Sequence, residues 1–277
     1  MQIQQLLSQA KEKLTVLTET PSLEAEILLA AVLTKPRSYL LARPEMDLTL
    51  TQQNAFADLM ARRLNQEPIA YILGQREFWS LPLTVNAHTL IPRPETECLV
   101  ETALTLFEEA TQPITVADLG TGSGAIALAL AKEKPAWRII ATDKSDAALS
   151  VAQQNAQTLG FKQLRFYQGS WLAAVAKLGI QFDLIVSNPP YLAEREWEEA
   201  LKYEPYSALV AGEKGLDAIC EISSNAKNYL KSGGYIIIEH GASQGDAVRS
   251  IFIRDGYNNL FTIRDLQGHE RLTVGRK

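Results

Sequence analysis

Ile114-Thr115-Val116-Ala117-Asp118-Leu119-Gly120-Thr121-Gly122-Ser123-Gly124 is the stretch that decides the fold. Residues 114–119 form a short apolar run of strand length, and the glycines that follow open residues 125–134, whose apolar spacing is helical. A glycine loop alone is weak, but one that leaves a strand and enters a helix stands where a nucleotide-type ligand is held. From here the strand and helix patterns alternate, which predicts a doubly wound α/β sheet. Strands are expected at 138–142, 164–167, 182–186 and 235–239, and helices at about 146–159, 216–230 and 243–255. The tail, 260–265 and 271–274 around Gly268, reads as an antiparallel hairpin at the sheet edge.

The loop spacing is G-x-G-x-G with Asp118 ahead of it, not the G-x-G-x-x-G of a dinucleotide site. A pyrophosphate wants an open helix N-terminus, whereas the Asp118 charge suits a cationic ligand. Asp143 ends the next strand and is placed to accept the hydroxyls of a ribose; the alternative is a helix-capping aspartate. Trp171, after the third strand, is a candidate neighbour of an adenine ring or a simply buried aromatic. Ribose, adenine and a positive centre together describe S-adenosylmethionine. Gly120, Thr121, Gly122, Ser123 and Gly124, with Asp118, Asp143 and Trp171, are the candidate cofactor-binding residues.

The fourth strand runs directly into Ser187-Asn188-Pro189-Pro190-Tyr191. Pro189 and Pro190 donate no ladder hydrogen bond, so the strand must stop at Asn188, and each proline holds the residue before it extended. Asn188 is thereby fixed at the carboxyl end of a strand, where open α/β sheets bind ligands. It is either a strand-ending turn or a rigid receptor for a flat, amide-like group, and it also joins the cofactor set.

Upstream, residues 1–74 are helical in pattern and suggest a small all-α domain of four or five helices, with Ser22 as one N-cap and 49–64 as another helix. Nothing in it looks catalytic; its bland role is packing and its sharper role is recognition of a macromolecular substrate. Residues 75–90 are expected to be a hairpin linker turning at Asn86-Ala87, and 91–277 the catalytic domain. Ile91-Pro92-Arg93-Pro94-Glu95-Thr96-Glu97 is a stiff loop ahead of a helix at 99–110. The helix dipole accounts for Glu95 and Glu97 but not for Arg93, a candidate substrate-binding residue.

The 277 residues carry a net charge of −5, which argues against a broad basic surface for duplex nucleic acid. Two distant cysteines and three isolated histidines show neither a disulfide framework nor metal-ligand spacing, so no metal is expected. No apolar run approaches the roughly 20 residues of a membrane span, and the N-terminus lacks a basic, apolar leader pattern. A soluble cytoplasmic protein without membrane contact is expected, with monomer as the default.

Asp118–Gly124, Asn188-Pro189-Pro190-Tyr191 and the sheet that ends in a hairpin resemble a class I, Rossmann-like, S-adenosylmethionine-dependent methyltransferase. The Ile91–Glu97 loop, the helical N-terminal domain, Glu204-Pro205-Tyr206-Ser207-Ala208-Leu209 and Gly215-Leu216-Asp217 narrow the resemblance to the PrmC/HemK family, the release-factor glutamine methyltransferases, over essentially the full length. The resemblance implies methylation of the side-chain amide nitrogen (N5) of the glutamine in the Gly-Gly-Gln motif of bacterial peptide chain release factors, the partner proteins. The Asn188 side-chain oxygen and the Pro189 carbonyl would accept the amide N–H bonds, with Pro190 beside them and Tyr191 against the amide plane. No histidine or carboxylate adjoins the motif in sequence, so proton loss is expected after transfer, without a dedicated base.

Three rivals remain. A ribosomal-protein glutamine methyltransferase shares N-P-P-Y, but Pro94-Glu95-Thr96-Glu97 argues against it. An adenine-N6 methyltransferase would use Asn188 and Tyr191 on a flipped base; the net charge and the acidic run Glu194-Arg195-Glu196-Trp197-Glu198-Glu199 weigh against that. A catalytically silent binding module would not need the glycine loop, Asp143 and Asn188 together.

Overall fold

The computed structural model describes residues 1–277, which divide into two compact units, Met1–Gln75 and Arg76–Lys277. The first unit is five helices: α1 (Ile3–Leu14), α2 (Pro21–Leu33), α3 (Arg37–Ala42), α4 (Leu50–Leu64) and α5 (Ile69–Leu73). Ile3, Leu14, Leu28, Leu29, Leu40 and Phe56 form its core. α4 starts with a capping box, in which Thr49 Oγ1 accepts from the Gln52 amide at 3.3 Å and Gln52 Oε1 from the Thr49 amide at 2.9 Å. α2 begins two residues earlier than expected: Pro21 is its first residue and Thr20, not Ser22, is the N-cap. Proline suits that position because its missing N–H would have been an orphan donor. Arg63 Nε on α4 donates to Glu24 Oε2 on α2 at 2.7 Å. Leu28 is fully buried here, so Leu28→Ala is expected to lower the unfolding free energy of this unit by about 2–5 kcal/mol, measurable as an earlier urea transition by far-UV circular dichroism.

β1 (Gln75–Phe78) and β2 (Leu81–Thr84) form a hairpin. It turns at Trp79 and Ser80, with φ of 52° and 55°, and not at Asn86-Ala87. A two-residue hairpin of this kind needs positive φ at both central residues, normally supplied by Asn or Gly. Here side chains hold the conformation instead: Glu97 Oε1 accepts from the Trp79 amide at 2.8 Å, Glu133 Oε1 from Trp79 Nε1 at 2.8 Å, and Lys132 Nζ donates to the Trp79 carbonyl at 3.0 Å. Phe78, Leu81 and Leu83 are buried in the core of the second unit. Asn86 makes a different turn, its Oδ1 accepting from the His88 amide at 2.9 Å.

The second unit is built on a seven-stranded sheet of β3 (Thr115–Leu119), β4 (Arg138–Asp143), β5 (Arg165–Gln168), β6 (Phe182–Ser187), β7 (Leu230–Glu239), β8 (Asn258–Arg264) and β9 (Glu270–Arg276), ordered β5-β4-β3-β6-β7-β9-β8. β3 to β7 are parallel; β9 runs antiparallel to β7 and pairs with β8 as the C-terminal hairpin. β7 starts five residues before the expected 235, because Leu230 already pairs with Phe182, and Lys231-Ser232-Gly233-Gly234, which reads as a loop, forms a register irregularity between that pair and Tyr235. The helices are α6 (Glu97–Leu106), α7 (Ala125–Glu133), α8 (Asp146–Leu159), α9 (Tyr206–Leu209), α10 (Asp217–Tyr229) and α11 (Gly245–Arg254).

Buried on both faces, the strands alternate between two cores. Val116, Leu184 and Ile237 pack in one with Val100, Leu128 and Leu130, while Ala117, Ile185 and Ile236 pack in the other with Ile219, Ile222 and Phe252. Successive strands go to one side from β3 and to the other from β6, so the switch point lies between these two strands. No helix is long and apolar enough to cross a membrane.

Candidate active site

A cavity of about 650 Å³ opens beyond the carboxyl ends of β3, β4 and β6, the size of a small-molecule site and at the switch point where such sheets bind ligands. Gly120, Thr121, Gly122, Ser123, Asp143, Trp171, Asn188 and Pro190 line it. Asp118, Gly124, Arg93, Pro189 and Tyr191 do not.

The glycine loop is shaped by close contacts. A Cβ at Gly120 (φ +71°) would come within 3.0 Å of the Trp171 ring, so the indole lies directly on the loop. A Cβ at Gly122 (φ +58°) would meet no protein atom within 4 Å, so space is left there for a ligand. Gly124 (φ +86°) instead lets the start of α7 approach α8: a Cβ there would stand 3.1 Å from Leu128 and 3.2 Å from Ala152. Asn155 on α8 binds the loop from behind, with its Nδ2 donating to the Ser123 carbonyl at 2.9 Å and to the Thr84 carbonyl at 3.0 Å.

Asp143 Oδ2 accepts from the Gly122 amide and Oδ1 from the Ser145 amide, each at 2.9 Å. The N-cap of α8 is Ser145, whose side chain accepts from the Ala148 amide, so Asp143 is not the capping residue. The carboxylate keeps lone-pair capacity for a ligand. Burial raises the Asp143 pKa, opposed by hydrogen bonds from Ser145, Gly122 and Lys144.

Asp118 is fully buried beneath the loop. Its Oδ2 accepts from Thr121 Oγ1 at 2.6 Å and the Ala127 amide at 3.2 Å, while Oδ1 has no partner. Burial pushes its pKa up to about 7. A buried carboxylate with an unsatisfied oxygen lowers the potential next to the cavity, which fits a cationic ligand.

At the other wall, Ser187 Oγ donates to the Leu119 carbonyl at 2.7 Å, fastening the end of β6 to the start of the glycine loop. Asn188 follows directly. Its Nδ2 donates to Thr96 Oγ1 at 3.0 Å, and its buried Oδ1 has no hydrogen-bond partner. Beyond the prolines the backbone is clamped: the Tyr191 amide donates to the Leu209 carbonyl at 3.1 Å, and Gln244 Nε2 donates to the Tyr191 carbonyl at 2.9 Å. The Tyr191 ring packs on the apolar core that includes Ile219 and Ile238, and burial raises its pKa.

Arg93 is engaged within the protein. Its Nη2 lies 2.5 Å from Glu204 Oε1, and Glu204 Oε2 accepts from the Ile91 amide at 3.0 Å. The nearly buried Glu204 thus ties the 91–97 loop to the segment leading into α9. Glu204→Ala leaves the Ile91 N–H without its partner, with an expected cost of about 1–3 kcal/mol; a correspondingly lower Tm by calorimetry checks it.

Several residues bordering the cavity carry no sequence signal as site residues. Thr96 is one, hidden among the acidic residues of the stiff loop. Others are the 87–90 turn, Ser207 and Ala208 of α9, and Asp217 and Glu221 of α10. Pairing a threonine with an asparagine 92 residues away requires the fold. No group of three or more His, Cys, Asp or Glu side chains is arranged to hold a metal.

Residues 5–74 match a family described as the PrmC N-terminal domain, and residues 111–259 a methyltransferase domain. The release factor glutamine methyltransferase of Escherichia coli strain K12 is 47% identical over 279 residues, covering 100% of this chain and 99% of that protein. Its Salmonella typhimurium strain LT2 counterpart is 48% identical over 262 residues, covering 94% of this chain and 93% of that one. Among solved structures, a methyltransferase from Pyrococcus furiosus superposes with a TM-score of 0.55 at 19% identity, covering 80% of this chain and 98% of that chain. At that identity the likeness concerns the fold alone.

Proposed function

This chain belongs to the release factor glutamine methyltransferase family, and we propose that it methylates the side-chain amide nitrogen (N5) of the glutamine in the Gly-Gly-Gln motif of bacterial peptide chain release factors, supporting translation termination. The observation that carries the chemistry is Asn188: it lines the cavity, its Nδ2 is already engaged by Thr96, and its buried Oδ1 lacks a donor. A buried acceptor without a partner is costly, and a primary amide supplies the missing N–H.

The residues present fit S-adenosylmethionine. Asp143 offers both carboxylate oxygens to a ribose, Trp171 an aromatic face, and Gly122 open space, while the unsatisfied Asp118 lies behind them. When bound, the cofactor would supply an electrophilic methyl group on a sulfonium, with a neutral thioether as the leaving group.

An amide nitrogen is a poor nucleophile because its lone pair is delocalised into the carbonyl. Asn188 Oδ1 and the Pro189 carbonyl accept its two N–H bonds and fix the direction of attack; orientation of this kind contributes up to roughly 7–11 kcal/mol. The same two acceptors stabilise the positive charge that develops on nitrogen as the new N–C bond forms. One N–H proton then leaves to solvent and restores the neutral amide. Pro190, on the cavity wall, confines the amide plane. Every residue of this wall belongs to the second unit, and to the helical unit we assign recognition of the release factor.

Asn188 would equally accept from an adenine N6 amine, so Asn188 alone does not choose between glutamine and base. The net charge of −5 favours a protein substrate over a polyanion. Labelled methyl transfer from S-adenosylmethionine to purified release factor, ribosomal protein and RNA tests the assignment: label on the release factor alone is expected, and label on RNA or ribosomal protein alone contradicts it.

A further inference from the structure

The register of the sheet pairs Ser187 of β6 with Ile238 of β7, so Asn188, just past the end of β6, follows beside Glu239, the last residue of β7, which still pairs with Leu272 of β9. Glu239 is 1% exposed, and its Oε2 has no hydrogen-bond partner. The Thr96 hydroxyl and the Asn188 amide both lie against its carboxylate and favour its charged form. No sequence motif marks this glutamate, and it does not line the cavity.

We propose that Glu239, acting with Thr96, is a positioning residue that fixes which half of the Asn188 amide faces the substrate. This rests on the role assigned to Asn188 above. An ionised carboxylate only accepts hydrogen bonds. It therefore takes the N–H side of Asn188 and turns the Thr96 O–H toward itself, leaving Thr96 Oγ1 to accept from Asn188 Nδ2. The amide oxygen is then committed to the opposite side. Turning the amide over would set Oδ1 against the carboxylate and present N–H groups to the N–H groups of the incoming glutamine. Both contacts are repulsive, so the ionised carboxylate enforces one state. A protonated Glu239 becomes a donor, tolerates either orientation and releases the lock.

The lock is consequently sensitive to pH. Burial raises the Glu239 pKa to about 7; Thr96 and Asn188 oppose the rise by hydrogen bonding, Arg271 of β9 opposes it by charge, and Glu95 adds to it. Tyr191 and Cys98, which also feel its charge, complete the titratable surroundings. The carboxylate is ionised above about pH 7, so turnover is present there and is lost as pH falls through that value. Stability runs the opposite way: a carboxylate whose pKa is raised by folding stabilises the fold least where it is ionised. A neutral isostere at this position removes that cost while abolishing the lock, a combination that a merely structural residue would not show.

The test uses full-length protein and Glu239→Gln. At pH 8 the variant is expected to methylate release factor about tenfold more slowly or worse, to keep wild-type affinity for S-adenosylmethionine, and to melt at a higher temperature than wild type. The fall in turnover near pH 7 should be smaller than in wild type, with Asp118 left as the group that titrates in the same range. Thr96→Val is expected to lose rate and Thr96→Ser to keep it. Wild-type turnover in Glu239→Gln with the acid limb intact overturns the proposal. A second readout is independent of the substrate: the 15N side-chain signal of Asn188 is expected to shift with a midpoint near pH 7 in wild type and to stay fixed in Glu239→Gln. A signal that does not titrate in wild type also overturns the proposal. Absence of methyl transfer to release factor by the wild-type enzyme, with this titration intact, would instead defeat the substrate assignment.

Discussion

Asn188→Ala is expected to lower methylation of a release factor by about 10²–10³-fold, the range found when one preorganised group that stabilises transition-state charge is removed. The substitution deletes the unpaired Oδ1 and also the Nδ2 that binds Thr96. The fold should tolerate it, because Ser187, Leu119 and the backbone clamp at Tyr191 do not depend on the Asn188 side chain. Asp143 and the glycine loop are untouched, so calorimetric affinity for S-adenosylmethionine should stay near that of wild type. Loss of rate without loss of cofactor affinity is the signature of an acceptor-orienting group. Near-normal turnover in this variant would remove Asn188 from the chemistry.

Asp143→Ala should act at the other wall and chiefly on binding. Its two oxygens hold the Gly122 and Ser145 amides at 2.9 Å and have lone pairs left for a ribose diol. Hydrogen bonds to a charged group contribute about 1.5–3 kcal/mol each, so losing them is expected to weaken cofactor binding about a hundredfold, measured by isothermal titration calorimetry. If Asp143 only braced the loop, the variant would lose thermal stability while keeping its affinity at saturating cofactor. Opposite patterns in the two variants, rate for Asn188 and affinity for Asp143, would assign the two walls of the cavity separately.

The doubly wound sheet was legible because its strands are buried on both faces and therefore appear as short apolar runs, such as 114–119 and 182–186. Glycines and prolines close those runs at chemically informative places. The hairpin turn was not legible: Trp79 and Ser80 adopt positive φ through contacts with Glu97, Lys132 and Glu133 that no local rule encodes. Asn188 and Asp143 stand at strand ends, so position along the chain exposed them. Thr96, Asn155 and Glu239 work through partners in distant elements or neighbouring strands, and only the folded structure reveals them. Arg93 shows the converse: conspicuous in sequence, it meets Glu204 in the fold.

Family membership also explains why the motifs were more informative than the fold. Rossmann-like sheets host many chemistries, and the Pyrococcus furiosus structure shares this one at 19% identity. The Asn188 corner, set against the Ile91–Glu97 loop, is what directs the site toward an amide.

The most direct test of the central claim is tandem mass spectrometry of a purified release factor after incubation with this enzyme and S-adenosylmethionine. One added methyl group on the side chain of the Gly-Gly-Gln glutamine is the result predicted, absent when Asn188→Ala replaces the wild type. A methyl group located on any other residue, or an unmodified glutamine beside methylated RNA, would contradict it.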